Sequence, residues 1–199
     1  MESKKIRIAV FASGSGSNAE RFFEHFKQSS LAEIALVCTN RPDAYVLERA
    51  ARHQLPGWVF TNQQLAQSRE VLHKLQQEGI DLIVLAGFLR LIPDYLIQAY
   101  PNRIINIHPA LLPKWGGKGM WGQHVHQAVV AAGELESGIT IHYVDANYDE
   151  GDVIFQTSCP LEPGDTAEEV AAKVLRLEHY HYPRVVEELV RKMQQEKHL

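Results

Sequence analysis

Residues 6–18 read Ile6-Arg7-Ile8-Ala9-Val10-Phe11-Ala12-Ser13-Gly14-Ser15-Gly16-Ser17-Asn18, and this passage decides the class of fold. Ile6 to Ala12 is a short apolar run rich in β-branched residues, the pattern of a strand covered on both faces. Glycines and serines then break the run, and Ala19 to Lys27 continues with amphipathic, helical spacing. Strand, glycine-rich turn and helix in that order form the opening unit of a parallel sheet.

The alternation continues along the chain. Ile34–Thr39 reads as strand and Ala44–His53 as helix, Ser68–Gln77 as helix and Leu82–Ala86 as strand, and Pro93–Tyr100 as helix before a strand around Asn106. Further on, His124–Ala132 reads as helix, and Ile139–Val144 and Val153–Ser158 as a hairpin around the acidic turn Asp145–Asp152. Thr166-Ala167-Glu168-Glu169 fits a capping box that opens a long terminal helix. Pro183 is expected to kink or split that helix. The resulting expectation is an α/β, Rossmann-like, mostly parallel sheet with helices on both faces, C-terminal strands in a hairpin-like turn, and a long C-terminal helix.

With 199 residues, 45% of them hydrophobic, the chain can build one good-sized core, and no linker, repeat or low-complexity tract divides it. A single domain over residues 1–199 is expected. The net charge of -4 offers no basic face for a polyanion, so no nucleic-acid partner is expected. Cys38 and Cys159 lie far apart without ligand spacing, which argues for reduced thiols and against a zinc site. The first residues lack a signal-peptide pattern, and the longest uncharged apolar run, Leu82 to Leu89, is too short for a bilayer. The expectation is a cytoplasmic protein with no membrane partner.

Chemistry concentrates in Ile104-Ile105-Asn106-Ile107-His108-Pro109-Ala110-Leu111-Leu112-Pro113. Alternate residues of a strand share a face, so Asn106 and His108 point the same way, and Pro109 ends the strand beside them. The carboxyl ends of strands are where an open α/β sheet binds ligands. A carboxamide can donate to a developing oxyanion, and an imidazole can move a proton near neutral pH. The plainer alternative is a buried histidine satisfied by backbone; the shared face favours chemistry.

Other segments leave two readings open. The Ser13–Asn18 turn can cradle an anion on its backbone N–H groups at a helix start, or it can be a simple turn with Ser17 or Asn18 as helix cap. It is neither GxGxxG nor a Walker loop. Tyr148-Asp149-Glu150-Gly151-Asp152 can be a solvated turn, or one carboxylate can fold over and orient the imidazole; nothing local chooses which. His124-Val125-His126 splays its rings on a helix, and no metal is expected. Gly87 to Pro93 can line a hydrophobic slot with Arg90 at its rim. Arg69 and Glu178, taken alone, read as surface residues.

Taken in order, Ser13–Asn18, Leu85-Ala86-Gly87-Phe88-Leu89-Arg90, Asn106 to Lys114, His124-Val125-His126, Gly138-Ile139-Thr140-Ile141-His142 and Asp149-Glu150-Gly151 resemble the folate-dependent formyltransferases of the phosphoribosylglycinamide branch. The similarity covers nearly the whole chain. It implies transfer of a formyl group from 10-formyltetrahydrofolate to the amine of 5'-phosphoribosylglycinamide, with small molecules as partners, no metal, and a monomer or homodimer. It implies Asn106, His108 and Asp149 as the catalytic trio, with Asp149 keeping His108 protonated. It further implies Gly16, Ser17 and Asn18 at the substrate phosphate assisted by Arg69, and Glu178 at the substrate's amino end. Leu89, Arg90, Leu91 and Ile92 would then form the folate segment, with Asn106 and Asp149 also facing the folate. The chain departs from the family pattern at Ala110, where Ser is frequent, and in the longer stretch 116–123, which makes that loop a candidate lid.

Overall fold

The computed structural model describes residues 4–196. Five strands, β1 (Ile6–Phe11), β2 (Ala32–Thr39), β3 (Gly57–Val59), β4 (Leu82–Leu85) and β5 (Ile104–His108), pair in parallel, and β6 (Glu136–Tyr143) and β7 (Val153–Pro160) add antiparallel to the β5 edge. The sheet order is β3-β2-β1-β4-β5-β6-β7. Chain direction across the sheet therefore reverses between β1 and β4, which opens a crevice at their carboxyl ends.

Alternation along the strands feeds two hydrophobic layers. Ile8 and Val10 of β1 pack with Phe22 and Phe26 of α1 (Ser17–Phe26) and with Tyr182, Val186 and Val190 of α7 (Ala167–Glu196). Ala9 and Phe11 face the other way, onto Leu72 and Leu75 of α4 (Glu70–Gln77) and Leu96 of α5 (Asp94–Ala99). Both faces of the central strands are dry, which is why they read as unbroken apolar runs.

Two elements escaped the sequence reading. The short strand β3 and the polar helix α3 (Asn62–Gln67) bury little, so neither shows a hydrophobic period. The helices α2 (Val46–Arg52) and α6 (Gln123–Ala131) lie where expected. Pro183 lies inside α7 and does not split it: the helix runs as a single element of 30 residues. Proline removes one backbone bond there. Flanking side chains hold the helix in place: Tyr182, fully buried, donates its hydroxyl toward the carbonyls of Leu85 (3.0 Å) and Ile105 (3.1 Å), and Val186 packs into the core behind it. The capping box forms as read, with the Thr166 backbone N–H on Glu169 at 2.8 Å.

Candidate active site

The turn after β1 sits in the crevice, tied down on both sides. Ser13 donates its backbone N–H to Gly87 (3.0 Å), and its hydroxyl accepts from the N–H of Leu89 (3.1 Å), which binds this turn to the segment after β4. Arg49 of α2 holds the Ser15 carbonyl at 2.8 Å and pairs with Glu20 at 2.6 Å. Gly16 has φ 70°, and a Cβ there would fall 2.5 Å from the Val46 side chain, so only glycine allows α2 to approach this closely. Gly16 caps α1, and no side chain takes the free N–H groups of its first turn. Asn18 is committed elsewhere, donating its amide to Glu178 at 2.8 Å. The helix start therefore keeps its positive end open toward the crevice, which favours the anion cradle over the capped turn.

At the other side of the crevice, β5 presents Asn106 and His108 on one face, as alternation requires. The His108 ring is buried; Nε2 lies 2.7 Å from the Trp115 carbonyl, and Nδ1 lies 3.4 Å from Oδ2 of Asp149. A carbonyl only accepts, so Nε2 carries a proton and Nδ1 is the nitrogen free to gain or lose one. Burial pushes the imidazole below its ordinary range, and this outweighs the upward pull of Asp149 and the Trp115 carbonyl. Burial thus favours the neutral ring in the ligand-free protein, whereas the protonated imidazole expected from the sequence belongs to the reacting complex.

Asp149 is the carboxylate of the acidic turn that reaches the ring. Its backbone is left-handed (φ 58°), a conformation aspartate tolerates better than most residues and one that aims its carboxylate inward. Oδ2 accepts the Gly117 N–H at 3.0 Å, and Oδ1 stands 3.6 Å from Nε2 of His142. Burial opposes its charge, but the His142 ring, the His108 ring and the Gly117 N–H together hold the carboxyl below its usual range. Asp149 is ionised, facing a neutral imidazole that it can stabilise once charged.

These groups line one cavity of about 810 Å³, whose wall also includes Asn18, Glu178, Leu89, Arg90, Leu91 and Ile92. Leu89 (52% exposed), Leu91 (41%) and Trp121 (50%) leave large apolar surface open around it, the lining expected for a flat, partly apolar ligand. Glu178 is buried in the same wall; desolvation raises its carboxyl to about 7, although the Asn18 amide pulls it back. Residues 6–186 match the formyl transferase family.

The chain belongs to that family. It is 41% identical to the chloroplastic phosphoribosylglycinamide formyltransferase of Arabidopsis thaliana over 93% of this chain and 65% of the plant protein, so it spans less than two thirds of that relative's length. It is 38% identical to the phosphoribosylglycinamide formyltransferase of Bacillus subtilis, over 92% of this chain and 94% of that one. Among solved structures, glycinamide ribonucleotide transformylase 1 of Geobacillus kaustophilus superposes with a TM-score of 0.85 at 39% identity, covering 94% of this chain and all of the other. The match embraces both the phosphate-ready turn and the β5 end.

Within this formyl transferase the fold gathers Asn106, His108, Asp149, Asn18, Glu178 and the 89–92 segment at one cavity, and Gly16 and Ser17 sit between its lining residues Ser15 and Asn18 without lining it themselves. Arg69 stands apart. It precedes α4 with its guanidinium 6.0 Å from the Tyr95 ring and does not line the cavity, so its position gives no support to a phosphate contact. The start of the 116–123 loop is an anchored part of the site, because the neighbouring Trp115 carbonyl holds His108 and the Gly117 N–H holds Asp149. Trp115 was absent from the residues singled out in the sequence, and His142 and Gly117 entered only as part of a quoted motif and of the 116–123 stretch, with no role attached. His142 had a visible signal, a polar side chain alternating with Ile139 and Ile141 in a buried strand; the other two act through backbone. Among the described residues no cluster of three or more His, Cys, Asp or Glu could hold a metal, and no helix is long and apolar enough to cross a membrane.

Proposed function

We propose that this formyl transferase moves the formyl group of 10-formyltetrahydrofolate to the amine of 5'-phosphoribosylglycinamide, giving 5'-phosphoribosyl-N-formylglycinamide for purine biosynthesis. One observation carries the reading: a carboxamide, an imidazole and a carboxylate converge in a cavity that also holds a buried carboxylate and reaches the first turn of a helix with no side-chain cap. The helix start suits the phosphate, with Gly16, Ser17 and Asn18 around it, and Glu178 suits the substrate's amino end. The apolar 89–92 segment suits the folate, and Arg90 its glutamate tail. Relatives of like size carry the same activity in their names.

In this reading the neutral amine attacks the formyl carbon, and the Asn106 N–H stabilises the oxyanion that forms on the formyl oxygen. The nitrogen must then lose a proton, and N10 of the folate must gain one as its bond to carbon breaks. Nδ1 of His108 is the ring position that can hold that proton between the two events, since Nε2 is committed to the Trp115 carbonyl. Negative charge on the tetrahedral centre favours the imidazolium, and ionised Asp149 stabilises it.

The chain is proposed to act as one domain on small molecules, in the cytoplasm, as a monomer or homodimer. The deciding assay mixes protein, 10-formyltetrahydrofolate and phosphoribosylglycinamide and follows tetrahydrofolate release. Release that requires the amine is expected. Release without the amine would make the protein a hydrolase of the same folate, and no release with both present would make it a binding protein.

A further inference from the structure

His142 is a buried group beside the trio that the mechanism above leaves without a task. It lies on β6 directly opposite Asn106 of β5, is 2% exposed, and sits on the cavity wall. Its Nδ1 is 2.8 Å from the carbonyl of Tyr143. That oxygen can only accept, so Nδ1 carries a proton, and in this tautomer the lone pair lies on Nε2. Nε2 in turn stands 3.2 Å from Nδ2 of Asn106. An amide N–H pointing at a lone pair is a hydrogen bond; an amide oxygen pointing there is a repulsion.

This matters because a carboxamide has nearly the same shape in both of its flipped positions, and only its hydrogen bonds select between them. With nitrogen toward His142, Asn106 spends one N–H on the ring and keeps the other for a forming oxyanion. Flipped, it would present a carbonyl oxygen to that negative charge. We propose that His142 is a positioning residue, whose Nε2 lone pair selects the flip of Asn106 that stabilises the tetrahedral intermediate. The Tyr143 carbonyl holds the ring in the required tautomer. Oδ1 of Asp149, 3.6 Å from the same Nε2, lies beyond hydrogen-bond distance, whereas the Asn106 amide at 3.2 Å lies within it, so the amide is the partner that Nε2 takes.

The inference rests on the formyl-transfer reading, and two substitutions separate its parts. In His142→Asn the side-chain amide can replace Nδ1 at the Tyr143 carbonyl but does not extend to Asn106. In His142→Gln the amide oxygen can replace Nε2 as acceptor. The expected result is a kcat about 10- to 100-fold lower in His142→Asn with KM changed less than about twofold, since the lost effect belongs to the transition state. His142→Gln should recover most of the rate. On an Asn106→Ala background, His142→Asn should cost nothing more, because there is no amide left to orient. Equal slowing by Asn and Gln in variants that melt like the wild type would overturn the proposal. So would a loss of the same size on the Asn106→Ala background, or wild-type kcat in His142→Asn. An activity-free readout keeps this apart from the formyl-transfer reading: in ¹⁵N spectra of the ligand-free protein, His142 should show a protonated Nδ1 and a bare Nε2. The Asn106 amide should likewise lose its downfield, hydrogen-bonded proton in His142→Asn. An unmoved Asn106 signal defeats the positioning role whatever the substrate is.

Discussion

Replacing Glu178 by Gln should make the protein more stable at alkaline pH and worse at its reaction. Glu178 is 8% exposed, accepts a hydrogen bond from Asn18 at 2.8 Å, and has its carboxyl raised by desolvation from 4.5 to about 7. A raised carboxyl means that the folded state holds this proton more tightly than the unfolded state. Below about 4.5 both states are protonated and nothing depends on pH. As pH climbs from 4.5 toward 7, the unfolded chain ionises while the folded one does not, so this residue subtracts stability; above about 7 the loss is complete. The span from 4.5 to about 7 corresponds to about 3 kcal/mol at full effect, of which about 2.5 kcal/mol falls between pH 5 and pH 8. Gln keeps the shape and can still meet the Asn18 amide but has no charge to desolvate. Urea unfolding of wild type and Glu178→Gln at pH 5 and pH 8 measures this: the variant's advantage should grow by about 2.5 kcal/mol at the higher pH. Catalysis should move the other way. A neutral amide holds the amine less well than a carboxylate, so kcat/KM should fall roughly 10- to 100-fold, the range of a charged hydrogen bond. The rise of kcat/KM with pH near 7 should also vanish. A stability difference between the two proteins that is the same at both pH values would refute the reasoning, because it would mean that the buried carboxyl is not what titrates.

Three further outcomes follow from single contacts. Asn106→Ala should lower kcat by on the order of 10²–10³, the usual cost of one oxyanion donor, with substrate binding little changed in isothermal titration. Gly116→Ala would bring a Cβ to 2.5 Å from the end of Leu112 and 3.2 Å from Cβ of Asp149; Leu112 can yield, but Asp149 should shift off His108, lowering kcat roughly tenfold, and steady-state kinetics at wild-type level would remove Gly116 from the argument. Tyr182→Phe strips a buried donor from the Leu85 and Ile105 carbonyls and should cost about 1–3 kcal/mol in urea unfolding while leaving kcat near wild type.

The architecture was legible because burial wrote it into the chain. Strands β1, β2 and β4 are largely apolar on both faces, β5 is apolar on one, and α1 and α4 carry one apolar stripe each, so period alone finds them. Where little is buried the signal fades: β3 has no buried residue, and α3 buries only Leu65. The capping box of Thr61 and Gln64 was the one mark of α3 that a sequence reader could have used. Pro183 does not split α7 because its local cost is met by tertiary contacts, the packing of Tyr182 and Val186, which no local pattern records. In the site, alternation placed Asn106 and His108 together, but it could not choose among Asp149, Glu150 and Asp152. That choice depends on the left-handed backbone at Asp149 and on the Gly117 N–H, neither of which a side-chain pattern records.

The antiparallel addition of β6 explains why the acidic loop has to be built this way. Tyr143, at the end of β6, pairs with Ile105, so the chain leaves the sheet below the level of His108 and has to come back up the strand to reach it. From Asn106 to His108 is two residues, roughly 7 Å of strand. Asp149 bridges that span with one carboxylate, placing Oδ1 beside His142, the neighbour of Asn106, and Oδ2 beside His108. The site therefore has a strand half and a loop half. Asn106, His108 and His142 sit on paired strands whose register fixes their spacing. Asp149 hangs from a returning loop and is pinned by the Gly117 N–H, which belongs to the stretch where this chain departs from the family pattern. Changes in that stretch should reach the chemistry through the Asp149 carboxylate, altering how far His108 can become charged while leaving the oxyanion donor on β5 where it is.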